Sequence, residues 1–156
     1  MRLDRVIAEA IVPAFQILGE RFDSREARAM LLVIGLQESR FDHVQQIGGP
    51  ARGWWQFERA GGVQGVLTHP RSDGYALALC EHRGVTPTSR GVYAALVRDQ
   101  ALAAGFARLL LWTDPKPLPG VNDVDGAWDC YLRNWRPGKP HRHTWNGLHA
   151  QARVAA

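Results

Sequence analysis

Over residues 3–18 the apolar positions fall at 3, 6, 7, 11, 14, 15 and 18, the spacing that lines one face of an α-helix. Pro13 inside that run is expected to kink the helix or to move its start. Asp23 can cap the next helix, with Glu26 three residues on as its capping-box partner, and the pattern carries it to about Glu38. Its interior, 27–36, is apolar nearly all round, with Met30, Leu31, Leu32, Val33 and Ile34 in succession. A helix without a polar face belongs at the centre of the core.

Gly48, Gly49, Pro50 and Gly53 punctuate 40–53, which therefore reads as a loop, with a short helix expected from Trp54. Helical patterning returns over 75–81 and over about 89–112, an Ala-rich stretch that Pro115-Lys116-Pro117 must stop. Two shorter helices, 124–134 and 144–153, flank Arg136-Pro137-Gly138-Lys139-Pro140. Strand alternation is scarce, and the one place for it is a short hairpin between 40 and 56. The fold class expected is mainly α, in one domain over 1–156, with no internal repeat.

Composition narrows the class further. A chain of 156 residues with 46% hydrophobic content supports one core, and six Trp, five Phe and three Tyr exclude a disordered chain. No apolar run approaches the roughly 18 residues of a membrane helix. Arg2, Asp4, Arg5, Glu9, Glu20 and Arg21 interrupt the N-terminal apolar residues, so neither a membrane span nor a cleavable signal is visible. The net charge is +4, with seventeen Arg against only Lys116 and Lys139. Such a bias attracts a polyanion, be it nucleic acid, an anionic membrane face or an anionic cell wall, or it simply reflects a GC-rich coding sequence. Cys80 and Cys130 are too few for a disulfide framework and lack zinc-site spacing, so two buried free thiols are expected, with a single disulfide as the alternative. His141, His143 and His149 fall short of a closed zinc site, and no metal or cofactor is expected.

The candidate chemistry lies in Gly35-Leu36-Gln37-Glu38-Ser39-Arg40-Phe41 and, after the glycine-rich loop, Ala51-Arg52-Gly53-Trp54-Trp55-Gln56-Phe57. A carboxylate at a helix C-terminus faces the negative end of the macrodipole, and partial burial removes its water. Both effects should raise the pKa of Glu38, as a general acid at neutral pH requires. Phe41, Trp54 and Trp55 are candidates for the dry wall beside it, and sugar rings stack on such aromatic faces.

Glu-Ser-x-Phe, followed by Gly-x-x-Gln whose Gln lies eighteen residues beyond the Glu, resembles the lytic transglycosylase signature of the lysozyme-like superfamily. The resemblance covers about 25 residues and implies helical lobes around a substrate cleft. It implies Glu38 as catalytic acid and base, with Ser39 and Gln56 as substrate-binding residues. Trp54 and Trp55 occupy the family's Leu-Met positions. The stretch closest to the family's later Ala-Tyr-Asn-Ala-Gly segment is Trp128-Asp129-Cys130-Tyr131-Leu132, which makes Tyr131 a further candidate. The same turn resembles the chitinase-like branch, whose members use two carboxylates, and Glu58 or Asp42 would then supply the second. Size, layout and the absence of an export signal resemble a bacteriophage endolysin, made in the host cytoplasm and acting on the cell wall. The implied substrate is the peptidoglycan glycan strand between N-acetylmuramic acid and N-acetylglucosamine, with no nucleic-acid partner and a monomer expected. The rival readings are a muramidase or chitinase-like hydrolase and, from another class, a non-catalytic virion or nucleic-acid-binding module using its Arg-rich surface. Against the last stands the absence of a nucleic-acid motif or a continuous basic stripe.

Overall fold

Pro13 has no amide hydrogen to give to the carbonyl of Glu9, and the first helix absorbs the gap just ahead of it. In a computed structural model that describes residues 2–156, α1 runs through Leu3–Val6, a π-type stretch Ile7–Ile11 and Val12–Leu18. The expected disturbance at Pro13 is thus a change of helix type, not a new start. A 3₁₀ turn, Glu20–Phe22, leads to α2, Arg25–Ser39.

Ser24, not Asp23, caps α2, its hydroxyl accepting from the amide of Ala27 at 3.0 Å. Asp23 is drawn off by Arg28, whose guanidinium grips both of its oxygens at 2.8 Å. The interior of α2 is buried on every face, as its pattern requires, and the helix packs most extensively on α8.

The expected hairpin between 40 and 56 is reduced to two isolated bridges, Gln45 to Arg52 and Arg52 to Phe57, because Gly48, Gly49 and Pro50 leave no run long enough to pair. No helix starts at Trp54. The next one, α3, begins at Arg59 (Arg59–Val63, then Gln64–Thr68) and is kinked at Gly61. The remaining helices are α4 (Asp73–Arg83), α5 (Ser89–Ala95), α6 (Gln100–Thr113), α7 (Val124–Trp135) and α8 (Arg142–Ala155). The single helix expected over 89–112 is broken because Asp99 caps α6, accepting from the amide of Leu102 at 2.9 Å while Arg83 holds its carboxylate.

The described residues thus form an all-α fold of eight helices with no strand. α2 and α6 are the two helices buried nearly all round, with Leu31, Leu32, Ile34, Leu102 and Phe106 at 0% exposure. Each such side chain contributes about 1.5–3 kcal/mol by leaving water. No helix among the described residues is long and apolar enough to cross a membrane.

Candidate active site

The end of α2 and the loop after it are built as one unit. Arg40 and Phe41 both take left-handed backbone, at φ 56° and 57°, which turns the chain sharply back after Glu38 and Ser39. The Phe41 ring then folds beneath α2 at Gly35, where a Cβ would overlap it. Ser39 stitches the two halves of the motif together: its hydroxyl donates to the carbonyl of Trp54 at 2.6 Å and accepts from the amide of Phe41 at 3.1 Å. It is 3% exposed, so it is a structural brace and does not face the cleft as a substrate contact.

Trp54 and Trp55, expected as a sugar-stacking wall, are core residues at 7% and 0% exposure. The Trp55 indole donates to the carbonyl of Leu31 at 2.7 Å, and both rings meet Phe41 edge-on at 5.6 Å. Their place in the motif is to hold the loop on α2. Gly53 permits this, since its φ of +78° is one that side chains rarely adopt, and a Cβ there would sit tightly against Ala103 at 3.3 Å.

What remains of the motif opens on a cleft of about 890 Å³. Its lining joins Glu38, Gln56 and Glu58 to Tyr131, Trp135 and Arg136 from the end of α7 and the segment after it. Gln56, with φ 54°, donates its side-chain amide to the carbonyl of Gly53 at 2.8 Å, which fixes the side chain at the wall. Glu58 lines the same cleft, whereas Asp42 is exposed and lies outside its lining.

Glu38 is the electrostatic centre. Burial pushes its carboxyl up to about 7, opposed by the hydroxyl of Tyr131, which donates to Oε1 at 2.7 Å. Tyr131 is buried, stacks on Trp145 at 5.1 Å, and is pushed well above the ordinary phenol range by burial and by the charge of Glu38. It therefore stays protonated and remains a donor. The result is a half-buried acid that exchanges its proton near neutral pH, held in one orientation by a single neutral partner.

Trp135 and the basic rim were not singled out as site residues by their patterning. The indole of Trp135 donates to the carbonyl of Trp55 at 2.9 Å, and its ring lies against Phe57 at 5.9 Å while lining the cleft. Its one sequence signal is its place at the end of an amphipathic helix, directly before a Pro-Gly loop. Arg136 and Lys139, in the segment between the last two helices, line the cleft and form no ion pair among the described residues. Arg133 differs, because it and Asn134 bind the buried carboxylate of Asp114 at 2.7 and 2.9 Å. Burial alone would raise Asp114, but these bonds overcome it and hold the acid below its usual range.

Cys80 and Cys130 are free and buried, and burial pushes both thiols up to about 11, which makes them inert. The rings of His141 and His143 meet edge-on at 5.7 Å, and no group of three metal-ligating side chains occurs among the described residues. Compared with family models, curated proteins and solved structures, the chain matches none.

Proposed function

We propose that the protein is a peptidoglycan lytic transglycosylase of lysozyme-like architecture, in the bacteriophage endolysin setting that its motif resemblance implies. The observation that carries this reading is the half-buried Glu38 on the cleft wall, with its proton exchanging near pH 7 and Tyr131 as its sole hydrogen-bond partner among the described residues. The glycan strand occupies the cleft between Gln56 and Trp135, and the ring of Trp135 takes the role first given to Trp54 and Trp55.

Glu38 donates its proton to the glycosidic oxygen as the bond to the muramyl C1 breaks. The C6 hydroxyl of the same muramyl residue attacks C1, and its proton passes to the Glu38 carboxylate, closing a 1,6-anhydro ring. The acid is regenerated and no water is consumed. One carboxyl suffices, and the Tyr131 hydroxyl stabilises the carboxylate between the two transfers.

A second reading is favoured by one observation: Glu58 lines the same cleft, and a hydrolase needs a second carboxylate to bind or activate water. The products decide between the two. Purified peptidoglycan digested with the wild-type chain is expected to yield fragments with anhydromuramyl ends, each lighter than a reducing end by one water. Reducing ends alone, with Glu58→Gln as inactive as Glu38→Gln, would replace the transglycosylase by the hydrolase.

A further inference from the structure

On the other side of α6, away from the cleft, lies a second cavity of about 520 Å³. Leu110 and Thr113 of α6 face the cleft, whereas Arg108, Leu111 and Trp112 face this cavity. Arg108 is only 4% exposed. Its Nε donates to the carbonyl of Phe22 at 2.8 Å, and its guanidinium carbon lies 5.5 Å from the ring centres of both Phe22 and Trp112. The terminal nitrogens Nη1 and Nη2 have no acceptor among the described residues.

A cation placed this deep without an ion pair is costly. The two acids best placed to compensate it are already engaged. Asp23, whose charge acts on Arg108, has both oxygens on Arg28, and Asp114, in the cavity wall, is taken by Arg133 and Asn134. Burial draws the Arg108 pKa down to about 10. Two further cations line the cavity, Lys116 and Arg71, whose guanidinium carbon also lies 5.5 Å from the Trp112 ring centre. Of the acids in the lining, only Glu26 remains to oppose the three. Trp112, Leu111 and Leu118 supply an apolar wall beside them.

We infer that this cavity is a binding site for an oxyanion, a carboxylate or phosphate group carried on a body with an apolar face, received by the open edge of the Arg108 guanidinium and flanked by Arg71 and Lys116. A planar fork with two free donors matches two oxygens of such a group, and both arginines lie within cation–π distance of the Trp112 ring. The site is separate from the Glu38 cleft and does not depend on the function assigned there.

The test follows the Arg108 Nε–Hε resonance of the labelled full chain as sodium phosphate or sodium acetate is added, with sodium chloride at matched ionic strength as control. The expected result is a saturable shift, of millimolar affinity or tighter, with at least one of the two oxyanions and not with chloride. Arg71→Gln and Lys116→Gln, both at exposed positions that leave the fold intact, should each weaken it by at least about fivefold. Preference for phosphate assigns a phosphoryl-bearing ligand, and preference for acetate a carboxylate-bearing one. A shift no larger than that of chloride, or an affinity unchanged in both variants, would make Arg108 a structural brace for the turn at Phe22 and overturn the site.

Discussion

At the scale of single residues, the site turns on one hydrogen bond. Tyr131 lowers the pKa of Glu38 against the stronger effect of burial, and a bond to a charged acceptor is worth about 1.5–3 kcal/mol. Tyr131→Phe should therefore raise the carboxyl further and move the alkaline limb of wall clearing upward by roughly 1–2 pH units. A pH profile of clearing checks this, and an unchanged limb would mean that another group sets it. Glu38 and Gln56 both line the cleft, and a helix end and a Gly-x-x-Gln turn are local features that a sequence displays. Ser39, Trp54 and Trp55 do not. A hydroxyl or an indole is equally at home in a cleft or a core, and only the carbonyls of Trp54 and Leu31, brought near by folding, settle which.

Among the elements, α2 was the most legible, since a helix apolar on every face has one place to go. Its first residue was not, because Asp23 and Ser24 are comparable caps and the choice falls to Arg28, which claims Asp23. α3 was hidden by Gly61, Gly62 and Gly65, which lower helix propensity in the sequence while tertiary packing supplies the order. The break between α5 and α6 was hidden by the Ala-rich run that masks the cap at Asp99. The close approach of Phe41 to α2 gives a prediction at this scale. Gly35→Ala improves intrinsic helix propensity by about 1 kcal/mol, yet its methyl overlaps the Phe41 ring, and overpacking costs about 1–3 kcal/mol. A net loss of stability is expected in denaturant titration, together with impaired clearing, since Phe41 anchors the turn beside Glu38. A stabilised, fully active variant would show that the ring moves freely.

For the molecule as a whole, the cleft was the part least visible beforehand, because Tyr131, Trp135 and Arg136 of its lining lie far along the chain from Glu38. Periodicity placed α7 but could not say that its last turn faces the end of α2. The titration of the folded chain follows from the same placement. Glu38 is raised from 4.5 to about 7, so the folded state holds a proton that the unfolded state has lost, and stability falls as pH climbs through that window. Asp23, Asp114 and His149 are all lowered, and their contributions are lost as pH falls. Glu38→Gln removes only the first effect. It should match the wild type near pH 4 and exceed it by roughly 3 kcal/mol above pH 7, as read from paired denaturant titrations. Equal stability at pH 8 would mean that Glu38 ionises as freely as an exposed glutamate.

The central claim is that Glu38 carries the proton in glycan cleavage, and clearing of purified peptidoglycan by matched amounts of folded wild type and Glu38→Gln tests it most directly. The amide keeps the shape and accepts the Tyr131 hydrogen bond but cannot supply a proton, so the rate should fall by at least about 10²-fold. Clearing by the variant within about threefold of wild type, or no clearing by the wild type itself, would contradict the account.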